Sequence, residues 1–234
     1  MPVLGLDTAG SLGSVALISR GRVLSQVHDQ GNSSHSAAIL GSVERVLAEG
    51  RLRASDLTAI AVTSGPGAFT GLRVGMATAK GIALSLGIPL AGISTLRALA
   101  EALATDAAAP VGTCICGLLR AGRGQVYRGI FVVISRREAR HVVAAEGDES
   151  LREARAALHG VAAGALVGGE GADRHNGLVL AHLPPDARFS TRVPPLAPSL
   201  ALIAEEMEAA GDLHGRAVAP NYVRESEHRV PRER

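Results

Sequence analysis

A chain of 234 residues with 47% hydrophobic and 20% charged residues has the composition of one large globular domain or two small ones, which excludes disorder and fibrous structure. Two Tyr, three Phe and no Trp leave no set of aromatic platforms on which unpaired bases stack, so a self-sufficient single-strand RNA binder is disfavoured. Formal net charge is only +2, with 24 basic against 22 acidic residues, so nothing in the overall balance points to a nucleic-acid surface.

Twenty-eight glycines, about 12% against a usual ~7%, imply a core of small side chains and closely approaching backbones, as in layered α/β proteins. No run approaches the ~20 apolar residues of a membrane span, and Asp7 interrupts the first apolar stretch where a signal peptide needs its hydrophobic region. The expectation is a cytoplasmic protein. Cys114 and Cys116 lie two apart in an apolar run, which points both to one face as reduced, buried thiols.

In chain order, 3–6, 14–18 and 22–27 read as an antiparallel meander with turns at Gly10, Gly13 and Gly21. A helix follows over 35–49, with Ile39, Leu40, Val43, Val46 and Leu47 on one face, residues 32–34 as capping candidates and Gly50 past its end. Then come a buried strand at 59–63, a glycine-rich loop at 64–69, a helix at 70–86, a strand at 89–93 and a helix at 95–104. After a break at 106–110 the order begins again: strands near 111–119, 125–134 and 139–145, a helix near 149–158, a strand at 165–167 and a second glycine-rich turn at 168–171. Two βββαβα units describe a duplicated actin-like (ASKHA, ribonuclease-H-like) α/β fold with two lobes. The expected division is 1–105 for the first lobe, 106–195 for the second, and 196–234 for a return helix (199–210) on the first lobe and a short charged tail.

The most informative stretch is 64–75, Ser-Gly-Pro-Gly-Ala-Phe-Thr-Gly-Leu-Arg-Val-Gly. It is a strand-to-helix turn whose glycines admit close backbone approach, with Thr70 placed to cap the helix and Arg73 in its first turn. No Gly-Lys-Ser/Thr follows, so it is not a P-loop. Within the helix, Gly71, Gly75, Ala79, Ala83 and Gly87 recur every fourth residue and form a groove with nothing larger than a methyl. Interior glycine costs roughly 0.5–1 kcal/mol relative to alanine, so this stripe calls for a closely packed partner backbone.

The same stretch resembles the signature of the TsaB family, also called YeaZ, of bacterial tRNA threonylcarbamoyladenosine biosynthesis proteins. Leu6-Asp7-Thr8-Ala9, His35-Ser36, Gly92-Ile93-Ser94-Thr95-Leu96, Gly124-Gln125-Val126-Tyr127 and Pro220-Asn221-Tyr222-Val223-Arg224 resemble family segments in the family's order. The resemblance implies a noncatalytic accessory subunit. It would bind and organise the catalytic subunit TsaD, together with the ATPase TsaE, for transfer of a threonylcarbamoyl group to the adenosine next to the anticodon of ANN-decoding tRNAs. Contact with tRNA would come through the complex, and in isolation the chain would form a homodimer. The partner-binding surface is expected on two helices, with His35, Ile39, Leu40 and Val43 on one and Gly71, Leu72, Gly75, Met76, Ala79 and Ala83 on the other.

Where the family usually has Asp-Ala-Arg in its second lobe, this chain has Arg120-Ala121-Gly122. His35 has no second histidine within two turns, so no metal site is expected there. Asp7, Thr8, Gly10, Gly67, Thr70 and Arg73 are the residues placed to face a nucleotide, since an aspartate closing the first strand is where active actin-like proteins hold magnesium-nucleotide. The expectation is no cofactor of its own, with ATP or ADP at the partner interface left open. The rival reading is an actin-like ATPase, kinase or carbamoyl transferase with its own nucleotide site.

Overall fold

The computed structural model describes residues 1–30, 35–137, 140–213, 218, 219 and 221, with backbone alone at 29, 30 and 35–38. Strands β1 (Pro2–Asp7), β2 (Leu12–Ser19) and β3 (Arg22–Gln30) form the meander. Helix α1 (His35–Glu49) follows, then β4 (Ala59–Gly65), helix α2 (Phe69–Leu86) and β5 (Leu90–Ser94). β4 and β5 lie parallel beside β1, and the first sheet has the order β3-β2-β1-β4-β5.

After α3 (Thr95–Asp106) the second sheet repeats this plan. β6 (Cys114–Gly122), β7 (Gln125–Arg136) and β8 (His141–Ala145) form another meander, β9 (Ser150–Glu153) adds to β7, and β10 (Leu166–Gly168) and β11 (Arg188–Phe189) run parallel beside β6. The order β11-β10-β6-β7-β8 is the first sheet's order with the same strand senses, so the duplication is real in three dimensions. Short helices α4 (Glu170–Arg174) and α5 (Asn176–Leu180) lie between β10 and β11, and α6 (Ala197–Ala209) returns to the first sheet.

Alternation along β1 assigns its two faces. Leu4 and Leu6 join Ile39, Val43 and Val46 of α1 and Met76, Ala79 and Ala83 of α2 in one buried cluster, while Val3 points the other way, toward α6. At Gly5 a Cβ would collide with the Ala197 carbonyl oxygen, so the close approach of α6 requires glycine there. Helices α3 and α6 lie between the two sheets, and a single cluster runs from Val3, Ile18 and Ile93 through Leu96, Leu99, Leu200 and Ile203 to Ile115 and Phe131. Buried Glu101 of α3 is bridged to Arg140 at 2.5 Å, and Arg140 also meets Glu206 of α6. Burial pushes the Glu101 carboxyl upward, and Arg140 and Arg97 pull it back.

Three sequence expectations need correction. The helix near 149–158 is instead β9 followed by a 3-10 turn at Ala154–Ala156, because Ser150–Glu153 pair with Gln125–Arg128. Thr70 does not cap α2: the N-cap is Ala68, with no side-chain bond, and Thr70 is exposed one residue inside the helix. Gly87 ends the stripe as the C-cap, with φ 66°, which glycine adopts without strain. Residues 32–34, proposed as caps, and the tail at 225–234 fall outside the described residues.

Candidate functional site

The turn from β1 into β2 meets the loop from β4 into α2, and both face the start of α4 on the other lobe. Asp7, 2% exposed, closes β1 and accepts a hydrogen bond from the Ala9 N–H at 2.9 Å. Burial pushes its carboxyl up to about 6. The Ala9 bond favours the charged form, as does the Thr63 hydroxyl, which makes no well-formed hydrogen bond, and the charge of Glu170 adds to the upward push.

Thr8 is fully committed to α2. Its hydroxyl donates to the Gly71 carbonyl at 2.7 Å, and the Ala68 N–H donates to the Ala9 carbonyl at 2.7 Å. These contacts explain the glycines: a Cβ at Gly71 would strike the Thr8 carbonyl, one at Gly75 the Thr8 hydroxyl, and one at Gly67 would stand 2.7 Å from the Ala9 carbonyl. The small-residue stripe is therefore a groove for this chain's own first turn. Ala79 and Ala83 continue it against the apolar cluster under β1 and β4.

The expected partner surface is corrected accordingly. Gly71, Leu72, Gly75, Met76, Ala79 and Ala83 are all buried inside the chain, as are Ile39 and Val43 on α1. Only Leu40 of that set, at 53% exposure, faces outward. The His35 side chain lies outside the described part of the structure.

Of the residues expected to face a nucleotide, Asp7, Thr8, Gly10 and Gly67 converge at the turn, but Thr70 and Arg73 do not join them. Both are exposed, and the Arg73 guanidinium lies 3.7 Å from the centre of the Phe69 ring on the outer side of α2. A carboxylate that the sequence reading passed over completes the site. Glu170 reaches across from α4 and accepts from the Ser11 N–H at 3.1 Å and the Ser11 hydroxyl at 2.7 Å. A second serine and carboxylate join the lobes where Ser94, the N-cap of α3, donates to Glu149, whose carboxyl burial pushes upward. The one hint of Glu170 in the sequence is that it is the only charged residue within Gly168-Gly169-Glu170-Gly171.

Among the described residues no three His, Cys, Asp or Glu side chains gather as metal ligands. Cys114 and Cys116 are buried free thiols on one face of β6, and burial pushes Cys116 up to about 12. No helix among the described residues is long and apolar enough to cross a membrane.

Residues 24–156 match the family model described as tRNA N6-adenosine threonylcarbamoyltransferase. The tRNA threonylcarbamoyladenosine biosynthesis protein TsaB of Bacillus subtilis is 33% identical over 131 residues, 56% of this chain and 55% of that protein. The protein of the same name from Escherichia coli is 37% identical over 101 residues, 43% of each chain. The matches thus span about half the length of these curated relatives. Among solved structures, YeaZ from Pseudomonas aeruginosa superposes with a TM-score of 0.77 at 24% identity, covering 94% of this chain and 100% of that one. The activator of 2-hydroxyisocaproyl-CoA dehydratase from Clostridium difficile, solved with bound ADPNP, shares the fold at a TM-score of 0.50 and 14% identity, covering 93% and 100%. With the family model matching more than half of the sequence, and with the TsaB likenesses in both sequence and structure, the chain belongs to the TsaB/YeaZ family within the wider threonylcarbamoyltransferase group.

Proposed function

We propose that this protein is a noncatalytic accessory subunit in the formation of threonylcarbamoyladenosine on tRNA. In this reading it binds and organises a TsaD-type catalytic subunit, works with a TsaE-type ATPase in the cytoplasm, meets tRNA through that assembly, and pairs with a second copy of itself when the partner is absent. The observation that carries the reading is the outer face of α2. Phe69, Arg73, Ala77, Lys80, Gly81 and Leu84 follow helical spacing and are exposed, Leu84 to 86% and Phe69 to 52%, and Leu40 of the neighbouring α1 is exposed to 53%.

Glycine supplies a second support. A Cβ at Gly41 or Gly81 would meet nothing within 4 Å in this chain, although each glycine sits inside a helix and costs stability there. An approaching helix from another chain gives those positions a reason that the fold itself does not. Any ATP or ADP would then belong to the partner interface rather than to this chain's cleft, where Asp7 is buried and Thr8 is spent on holding α2.

The rival reading, an ATPase or kinase with its own site, draws on the ADPNP-bound neighbour alone and is not favoured by the cleft residues. The test is reconstitution of tRNA modification from the catalytic subunit, the ATPase, tRNA and a threonylcarbamoyl donor, with and without this protein. Loss of modified adenosine on omission, with no transfer by this protein alone, is the expected result. Full modification without it overturns the proposal.

A further inference from the structure

Glu170 and Ser11 are 159 residues apart and belong to different lobes, yet two donors of Ser11 converge on one oxygen of Glu170, the N–H at 3.1 Å and the hydroxyl at 2.7 Å. The other carboxylate oxygen lies 3.0 Å from where a Cβ of Gly10 would stand. A backbone N–H and a hydroxyl aimed at one charged oxygen are the donors of an anion site. The anion seated in it is part of the chain itself.

The mount behind Glu170 is built for this reach. Gly169 has φ 109°, and a Cβ on it would collide with the Leu118 carbonyl, while a Cβ on Gly171 would stand 2.8 Å from the Leu119 carbonyl. The glycines on either side therefore let the backbone lie directly on β6, with the one acidic side chain between them reaching the facing lobe. Asp7, the neighbouring carboxyl, takes the Ala9 N–H and leaves both Ser11 donors to Glu170.

We propose that the turn bearing Gly10 and Ser11 is a binding site for a phosphate group, and that Glu170 is its built-in occupant, which keeps phosphate ligands out while it is seated and ties the lobes together at this end. A carboxylate matches the charge and acceptor geometry of one phosphate edge, so the two cannot share the Ser11 donors. A ligand must wait for Glu170 to leave, and its apparent affinity falls by the fraction of time the turn is vacant. This goes beyond the accessory role, which stands or falls on reconstitution and not on this site.

The experiment is calorimetric titration of the full chain with sodium pyrophosphate and, separately, with ATP. The proteins are wild type, Glu170→Ala, Glu170→Gln, and Glu170→Ala combined with Ser11→Ala, each checked by circular dichroism and melting. If Glu170 is seated at least ten times as often as it is away, Glu170→Ala binds both probes at least tenfold more tightly than wild type. Glu170→Gln, which loses the charge and keeps an acceptor for Ser11, falls between them, and adding Ser11→Ala weakens the binding gained. A folded Glu170→Ala protein that binds pyrophosphate no better than wild type overturns the proposal, as does a gain for ATP alone or one indifferent to Ser11→Ala. Should Glu170→Ala fail to fold, the absence of any gain in folded Glu170→Gln overturns it equally.

Discussion

Two glycines on α2, six residues apart, separate the inner face of the helix from the outer one by a stability measurement. At Gly75 an added methyl would overlap the Thr8 hydroxyl, which is also the donor to the Gly71 carbonyl. Overpacking a tight contact costs ~1–3 kcal/mol, and displacing a buried hydrogen bond adds about 1 kcal/mol. Replacing a helix-interior glycine by alanine returns roughly 0.5–1 kcal/mol. The net expectation for Gly75→Ala is a loss of about 1–3 kcal/mol, or a Tm lower by ~2–4 °C for each kcal/mol in a chain of this size.

At Gly81 the methyl would meet nothing within 4 Å, so only the helix term remains, and Gly81→Ala should gain about 0.5–1 kcal/mol. Urea denaturation of the two variants beside wild type, followed by circular dichroism, gives the comparison, with unchanged m-values as the check that only stability has moved. Equal shifts, or a Gly75→Ala protein more stable than wild type, would refute the argument that the small-residue stripe is shaped by Thr8.

The outer face makes the complementary prediction: Leu84→Arg or Gly81→Leu should leave urea stability within about 0.5 kcal/mol of wild type while weakening association with the catalytic partner roughly ten- to a hundredfold, equivalent to about 1.4–2.8 kcal/mol. Sedimentation and titration against that partner check it, and unchanged affinity in both variants rejects α2 as the interface. Asp7 predicts a pH dependence, because its carboxyl is raised from 3.8 to about 6, so the folded state holds the proton more tightly than the unfolded state and stability falls as pH rises across that window. The fall is worth up to about 3 kcal/mol. Asp7→Asn, which carries no charge and keeps an acceptor for the Ala9 N–H, should lack it, matching wild type near pH 4 and exceeding it at pH 8; a variant less stable than wild type at pH 8 would refute the assignment.

Much of the first lobe was legible because its periods are clean. The meander through 3–27, the buried strand at 59–63 and the helix after the glycine loop each carry one pattern that no alternative fits as well. The stretch 149–158 was not, since Leu151, Ala154, Ala157 and Leu158 satisfy helical spacing, while Ser150–Glu153 find ladder partners in β7 that no local window contains. Spacing also exposed the stripe on α2 without revealing what fills it, because Thr8 lies 63 residues from Gly71 in sequence. Asp7, Thr8, Gly10 and Gly67 were recognisable from residue type beside a strand end. Glu170 was hidden by distance along the chain, and Arg73 was misassigned because sequence cannot tell that its guanidinium finds Phe69 one turn away.

The position of α6 between the sheets bears on how the protein is made. The inner face of the first sheet, with Val3, Ala59, Ala61 and Ala91, is covered by Leu200, Ala201, Ile203 and Ala204. Those residues leave the ribosome roughly 115 residues after β5, which at ~5–20 residues per second is on the order of 10 s. During that interval the nascent first lobe presents a bare apolar sheet, and the second lobe is synthesised while the first still lacks its covering helix. The first lobe therefore cannot reach its final packing ahead of the second, and the two mature together when α6 docks.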